Sequence, residues 1–257
     1  MTYKIAIPSY KRSLLCNNQT LKMLHDNAID PSLIYVFIVE QELDIYVANL
    51  NPKWYNAIII GQKGIGNQRQ FIRDYFNEGE HIISIDDDIV NVDFSLTDYV
   101  KLDDFFKDAF IECVKHKSFI WGIYPVNNKF FREKQKSLTT CLNFIVGAFY
   151  GFINRPNCDD LCLHIGDEKE DVEQTILYFK KDSIVLRFNK IAFKTKYYNS
   201  NGGLGGLKHR IFDAKINAEM LQALYPQYGK IKVRKNGVYE FILKKLQGVP
   251  LTDNKNI

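Results

Sequence analysis

The amino-acid sequence predicts an α/β fold built on a mostly parallel central sheet. In the first ninety residues, four short apolar segments have the length and composition of buried strands. Segments in which apolar residues recur at helical spacing lie between them. Because each predicted strand is apolar at consecutive positions, we expect helices to cover both faces of the sheet. The chain is expected to form a single domain with two unequal halves.

The elements can be placed in order along the chain. The four predicted strands cover residues 4–8, 33–39, 57–60 and 81–85, and the predicted helices between them include 19–27 and 67–77. Further on, the pattern predicts a helix at 103–115, strands at 119–125 and 142–150, a helix at 172–180 and a strand at 184–188. No stretch long enough to link two independent domains interrupts this order.

Composition excludes several classes of protein. The 257 residues are 46% hydrophobic and 25% charged, which is enough for a full core and unlike a disordered chain. No apolar run reaches the roughly 18 to 20 residues that span a bilayer, and the first residues lack a signal-peptide pattern, so we expect a cytoplasmic protein that does not enter a membrane. Five scattered cysteines predict neither a disulfide framework nor a zinc ribbon, and the net charge of +4 does not by itself indicate nucleic acid.

Unusual polar clusters follow the predicted strands. They comprise residues 8–12, Glu40, residues 63–69 and residues 86–88. Ligands of open parallel sheets bind beyond the carboxyl ends of the strands. We therefore expect one site assembled from four strand ends.

Three consecutive aspartates at the end of the fourth strand are the strongest chemical signal. Carboxylates two residues apart on a strand point to the same side, so Asp86 and Asp88 are expected to share one divalent cation. Asp87 would then face away or meet a ribose hydroxyl. The alternative is a solvated turn that caps the next helix.

Five sequence elements occur in a characteristic order. They are I-P-S-Y-K-R after the first strand, an acidic residue after the second, G-x-G-N-Q-R in the following helix, I-D-D-D, and later Glu170-Asp171. Over residues 3–210 this order resembles the GT-A glycosyltransferases. The resemblance implies a Rossmann-like GT-A fold and an aspartate motif that holds Mn²⁺ or Mg²⁺ on a nucleotide-sugar diphosphate, with a UDP-sugar as the expected donor.

The resemblance assigns roles to individual positions. The donor-binding residues would be Pro8, Ser9, Tyr10, Arg12, Glu40, Gly66, Arg69, Asp86, Asp87, Gly202 and Gly203. The metal ligands would be Asp86, Asp88 and His209. Glu170 and Asp171 would supply the catalytic base of an inverting enzyme, or orient the acceptor in a retaining one. The residues alone leave open a surface role for Glu40, Arg69 and His209, and a helix N-terminal cluster for Glu170 and Asp171.

A narrower resemblance concerns the acceptor. The segments F-I-V-E-Q-E-L-D-I-Y, G-A-F-Y-G-F-I-N-R, E-D-V-E-Q-T-I and K-Y-Y-N-S-N-G-G-L-G are similar to the phage and kinetoplastid glycosyltransferases that modify hydroxymethylated pyrimidines in DNA. This implies glucose as the sugar, DNA as a partner and, for a phage protein, the host cytoplasm as the location. Residues 1–95 would bind the donor, and residues 96–257 the acceptor, with a basic C-terminal segment.

Two other functions are compatible with the same residues. A GT-A enzyme acting on a cell-surface glycan or a small molecule would share the core motifs. A nucleotidyltransferase-like or inactive nucleotide-binding protein would share the aspartate site. The sequence does not predict an oligomeric state.

Overall fold

A nine-stranded sheet forms the centre of the fold in the computed structural model, which describes residues 1–195 and 207–250 and the side chains of all of these except 207–211. The strands of this sheet are β1 (Lys4–Pro8), β2 (Ile34–Ile38), β3 (Ala57–Ile60), β4 (His81–Ile85), β5 (Ile89–Asp93), β6 (Ile120–Tyr124), β7 (Leu138–Thr139), β8 (Phe149–Ile153) and β9 (Leu186–Thr195). The helices are α1 (Ser13–Cys16), α2 (Lys22–Asp26), α3 (Leu43–Asn49), α4 (Ile65–Tyr75), α5 (Leu102–His116), α6 (Lys129–Glu133), α7 (Glu170–Asp182) and α8 (Leu207–Leu224). A π-helical turn, Asn17–Leu21, joins α1 to α2.

The strand order is β3-β2-β1-β4-β8-β6-β9-β5, and β7 pairs with β9. The first four strands are mutually parallel, with Ile5 of β1 opposite Ile34 of β2 and Ile83 of β4. Strands β6 and β9 are also parallel, whereas β8 runs antiparallel between β4 and β6. The predicted α/β fold with a mostly parallel sheet is therefore confirmed.

Two hydrophobic clusters lie on opposite faces of the sheet. Alternation along β1 places Ile5 and Ile7 in one cluster and Ala6 in the other. The first cluster packs against the segment from α1 to α2 and against α5, and it surrounds the buried ring of Trp121. The second packs against α4, α7 and α8. Helices thus cover both faces, as consecutive apolar positions in the strands predict.

The structure corrects the predicted strand at 142–150. Strand β8 begins only at Phe149, and residues 142–148 form a loop in which Leu142 and Ile145 are buried and the other apolar side chains are partly buried. A buried loop and a buried strand give the same apolar pattern in the sequence, so periodicity does not distinguish them. Strand β5 was not predicted, and it pairs antiparallel with β9.

The C-terminal part forms a hairpin of β10 (Gly229–Val233) and β11 (Tyr239–Leu243). The preceding helix α8 is attached to α7 through Tyr225, whose hydroxyl donates to Glu173 Oε1 at 2.7 Å. The described residues include no helix with the length and apolar character that crossing a membrane requires.

Replacing Gly151 by alanine should destabilise the fold. Gly151 of β8 lies opposite Trp121 of β6, and a Cβ at this position would overlap the buried indole ring. Because a rigid ring cannot move aside as a flexible side chain can, we expect Gly151→Ala to lower the free energy of unfolding by about 1 to 3 kcal/mol. Chemical denaturation measures this change.

A double-mutant cycle provides the control for this prediction. In a Trp121→Phe background the smaller ring leaves room for the added methyl group, so the effect of Gly151→Ala should be smaller there. An equal effect in both backgrounds would contradict the overlap with the indole.

Candidate functional site

The polar clusters after β1 and β4 meet at one edge of the sheet. Because β1 and β4 are neighbouring parallel strands, their carboxyl ends lie side by side. The Ser9 hydroxyl, directly after β1, donates to Asp87 Oδ2 at 2.5 Å. Two segments 78 residues apart in the sequence are therefore joined at the expected position.

Asp87 is the buried member of the three aspartates, with 4% of its surface exposed. Its carboxylate accepts from Ser9 and from Arg12 Nη1, the latter at 3.3 Å. The Ser9 oxygen also lies 2.6 Å from the hydroxyl of Tyr46 on α3. Burial raises the pKa of Asp87 to about 7. Asp87 therefore faces the protein interior, where both of its carboxylate oxygens are bonded to side chains of the protein.

Asp86 and Asp88 are more accessible, with 31% and 20% of their side chains exposed. Asp86 Oδ1 lies 3.5 Å from Arg69 Nη2, and Asp88 Oδ2 lies 3.6 Å from Arg12 Nη1. Burial raises the pKa of Asp86 to about 6 and raises that of Asp88 from its ordinary value. These two carboxylates are the part of the motif that a ligand can approach.

The backbone of the aspartate turn is held by Thr20. Its hydroxyl donates to the Asp86 carbonyl at 2.7 Å and accepts from the Ile89 amide at 2.9 Å. The Asp86 amide donates to the carbonyl of Ala148 at 2.9 Å. Hydrogen bonds therefore hold the backbone of the turn from both sides.

The donor set of this turn fits a hard divalent cation. No group of three or more His, Cys, Asp or Glu side chains in the described part of the chain is placed to hold a metal ion. Mg²⁺, however, commonly uses only one or two protein carboxylates and completes its shell with waters and substrate phosphates. Asp86 and Asp88 match that arrangement. His209, predicted as a third ligand, lies outside the described side chains.

Arg69 of α4 is a buried cation between two acidic elements. With 6% of its surface exposed, it lies 3.2 Å through Nε from Glu170 Oε1 and 3.5 Å from Asp86. Burial alone would lower the pKa of Arg69, but the neighbouring Tyr150, Asp86 and Glu170 outweigh it and raise the pKa. The guanidinium thus pairs with protein carboxylates, whereas the sequence suggested a role on the donor phosphates.

The close approach of Arg69 depends on Gly147. A Cβ at residue 147 would lie 2.6 Å from Arg69 Nη2 and 3.0 Å from the Asp171 Cβ. The Gly147 amide donates to Asp171 Oδ2 at 3.2 Å. Residue 147 must therefore be glycine for Arg69 and Asp171 to adopt these positions.

Glu170 and Asp171 begin α7, where carboxylates are stabilised by the helix dipole. Glu170 is 6% exposed and pairs with Arg69, whereas Asp171 is partly exposed. Burial and the adjacent Asp171 raise the pKa of Glu170, and burial raises that of Asp171. The sequence gives both residues the same candidate role, whereas in the structure Glu170 is buried and paired and Asp171 is partly exposed.

The remaining predicted residues occupy varied positions. Pro8 is buried at the end of β1, Tyr10 is partly exposed, and Glu40 is exposed. The Gly66 amide donates to Asp167 Oδ1 at 3.0 Å, so a side chain of the protein already uses it. Gly202 and Gly203 lie outside the described residues.

Sequence reasoning does not identify three residues that hold parts of the site in place through hydrogen bonds. Glu42, two positions after the predicted Glu40, is buried and accepts from the Lys11 amide at 2.9 and 3.1 Å. Tyr46 was missed because a buried helix tyrosine has the pattern of a core residue. Thr20 lies in the π-helical turn, a feature frequent at functional sites that periodicity does not predict.

No protein-family model matches the chain, and no curated protein matches its sequence. Among solved structures, the chain is similar to glucosyl-3-phosphoglycerate synthase from Mycobacterium tuberculosis in complex with Mn²⁺, UDP-glucose and phosphoglyceric acid. The TM-score is 0.49 and the identity 10%, over 97% of this chain and 89% of that chain. It is also similar to UDP-glucose pyrophosphorylase complexed with UDP-glucose, with a TM-score of 0.46 and 11% identity over 86% and 100% of the two chains.

A further match is TarS from S. aureus, with a TM-score of 0.44 and 14% identity over 86% of this chain and 40% of TarS. The chain therefore spans less than half of TarS. At these identities and TM-scores the matches assign no activity to the chain. Nothing in these matches supports a DNA acceptor, which stays a prediction.

Removing the Arg69 charge should strongly destabilise the protein. In Arg69→Met, the paired Glu170 and the nearby Asp86 lose their buried counter-charge. Loss of one partner of a buried ion pair costs about 3 to 5 kcal/mol of unfolding free energy, and chemical denaturation measures it.

Arg73→Met, on the same helix, is the matched control. The Arg73 guanidinium is also buried, but it donates to the neutral Leu161 carbonyl at 2.6 Å and pairs with the exposed Asp74. No buried carboxylate is left unpaired, so we expect a loss of only about 1 to 3 kcal/mol. A loss in Arg73→Met equal to that in Arg69→Met would contradict the role given to Arg69.

Proposed function

We propose that the chain is a glycosyltransferase that uses a nucleotide-sugar donor together with Mn²⁺ or Mg²⁺. The observation that carries the proposal is the division of the aspartate motif at the sheet edge. Asp86 and Asp88 are accessible there, while Asp87 is buried and bonded to Ser9 and Arg12. Two accessible carboxylates beyond a parallel strand suit a cation that is shared with a diphosphate.

The chemistry of transfer requires stabilisation of a leaving diphosphate. A divalent cation held by Asp86 and Asp88 would offset the negative charge that develops on it. The protein's own contribution is to fix the geometry, since Thr20 holds the backbone of the turn and Arg12 lies 3.6 Å from Asp88. Groups fixed before the reaction need no reorganisation during it.

On the acceptor side we assign the reactive carboxylate to Asp171. Its Oδ2 accepts from the Gly147 amide, and the side chain remains partly exposed. In an inverting reaction, Asp171 would accept the proton of the attacking hydroxyl; in a retaining one, it would orient the acceptor. Glu170 is a positioning residue, because it is buried against Arg69.

The finer proposals follow the sequence resemblance. The donor is proposed to be UDP-linked glucose, and the acceptor a hydroxymethylated pyrimidine in DNA or a sugar already attached to it. The division into a donor half at residues 1–95 and an acceptor half at 96–257 is part of the same proposal. A cell-surface glycan or a small molecule is the alternative acceptor.

Asp88→Asn should abolish metal-dependent donor binding. Calorimetry with UDP-glucose is expected to show tighter binding to the native chain when Mn²⁺ is present. In Asp88→Asn this gain should disappear, because an amide is a far poorer ligand for a hard cation than a carboxylate.

The control is Asp44→Asn, which makes the same charge change at an exposed position of α3. It should keep the full Mn²⁺-dependent gain. Two results would contradict the proposal: an unchanged gain in Asp88→Asn, or binding of UTP and CTP in the absence of any binding of UDP-, GDP- or CMP-sugars. The second result would favour nucleotidyl transfer.

The acceptor can be tested with labelled UDP-glucose. We expect label on DNA that contains hydroxymethylated pyrimidines and none on plain DNA of the same sequence. Asp171→Asn should lower the rate about 10²- to 10⁴-fold while donor binding is retained, since the base acts on the acceptor hydroxyl.

Asp160→Asn, an exposed carboxylate beyond the site, is the matched control and should transfer at the native rate. Label on glycan or small-molecule acceptors alone would replace the DNA acceptor. A native rate in Asp171→Asn would remove Asp171 from the mechanism.

A further inference from the structure

Arg187 is a cation on β9 with an unusual set of partners. It lies opposite Gly122 of β6 and Thr139 of β7 and is partly buried. Its Nε donates to Asn189 Oδ1 at 2.7 Å, and Nη1 donates to the Phe144 carbonyl at 3.3 Å. The guanidinium also lies 5.2 Å from the centre of the Tyr124 ring. None of these partners carries a negative charge.

The other arginines differ from Arg187 in this respect. All of those whose side chains the structure describes form ion pairs, namely Arg12, Arg69, Arg73, Arg132, Arg155 and Arg234. Within the described residues, Arg187 has no carboxylate at ion-pair distance, and its Nη2 has no hydrogen-bond partner. Burial lowers the pKa of Arg187 to about 10. Partial burial of a cation that has no ion-pair partner is unfavourable, so its presence calls for an explanation.

The position of Arg187 relative to Asp171 suggests that explanation. The Phe144 carbonyl contacts Arg187, and the Gly147 amide contacts Asp171. Three residues span at most about 10 Å, so the two side chains lie along one short segment. That segment is attached to α7, because the Ile145 amide donates to Thr175 Oγ1 at 3.1 Å.

We propose that Arg187 binds an anionic oxygen group, a phosphate or a carboxylate, carried by the acceptor. The inference rests on the proposed glycosyl transfer and names the acceptor class for the same site. The acceptor hydroxyl would meet Asp171 while the anionic group meets the Nη2 edge of the guanidinium. Arginine is suited to this task because its planar fork matches the geometry of phosphate and carboxylate oxygens.

The first experiment uses inorganic sulfate as the probe, with calorimetry on the full chain. The variants are Arg187→Met, which removes the charge, and Arg187→Lys, which keeps the charge without the fork. Lys194→Met is the control, because it removes one positive charge from an exposed position on the same strand. We expect at least tenfold weaker sulfate binding in Arg187→Met, an intermediate loss in Arg187→Lys and native binding in Lys194→Met. Equal binding in all four proteins, or no binding to the native chain, would overturn the proposal.

Thermal unfolding separates a binding role from a structural one. In sulfate-free buffer, Arg187→Met should melt close to the native temperature, because removing a cation without an ion-pair partner offsets the loss of its hydrogen bonds to Asn189 and to the Phe144 carbonyl. Sulfate should raise the melting temperature of the native chain and not that of Arg187→Met. In sulfate-free buffer, a fall in melting temperature as large as that of Arg73→Met would mean that Arg187 is structural, and so would the same sulfate-induced rise in the native chain and in Arg187→Met. If Arg187→Met does not fold, Arg187→Lys gives the same comparison.

Two sources of the anion can be distinguished by competition. Glycerol phosphate and a short plain oligonucleotide, at equal phosphate concentration, compete with sulfate for the native chain. Preference for the first identifies a small phosphorylated acceptor, and preference for the second identifies the phosphates of DNA. Binding of UDP-glucose is measured separately. Arginine-dependent sulfate binding without UDP-glucose binding would reject glycosyl transfer and keep the anion site, and the converse result would reject only the anion site.

Discussion

The ion pair between Arg69 and Glu170 is the interaction on which the rest of the site depends. Arg69 belongs to α4, Glu170 begins α7, and Asp86 lies within 3.5 Å of the same guanidinium at the end of β4. One buried cation therefore connects three elements that are distant in the sequence. Because Glu170 and Asp86 are both acidic, the positive charge between them offsets their mutual repulsion.

Gly147 determines how the side chains around this ion pair are arranged. The missing Cβ lets the guanidinium approach the backbone, and the amide of the same residue donates to Asp171. Glu170 is thereby turned inward to Arg69 while Asp171 remains partly exposed. Two consecutive carboxylates acquire different environments, which is the usual way in which proteins give similar groups different roles. The same division separates Asp87 from Asp86 and Asp88.

The parts of the fold that were predicted correctly are those determined by local pattern. Strands β1, β2 and β4 are buried on both faces, so their apolar runs and the aspartates at the end of β4 were visible in the sequence. The loop at 142–148 was mistaken for a strand because burial, not backbone conformation, produces its apolar pattern. Thr20 and Tyr46 contact the site across 66 and 37 residues, respectively, and no local signal encodes such contacts. The same applies to the pairing of Arg69 with Glu170, since sequence gave no reason to prefer that partner over a phosphate.

The two ends of the loop at 142–148 differ in how the charge of the neighbouring arginine is balanced. At its Gly147 end, the Arg69 charge is offset by carboxylates of the protein itself. At its Phe144 end, the partners of Arg187 among the described residues are a carbonyl, an amide oxygen and an aromatic ring. A fold selected for stability alone would neutralise or remove a cation in such a position, because pairing or an apolar replacement lowers the free energy of the folded state. The imbalance is confined to one end of a segment whose other end holds Asp171. A charge left uncompensated there is most simply balanced by a ligand that reaches both ends.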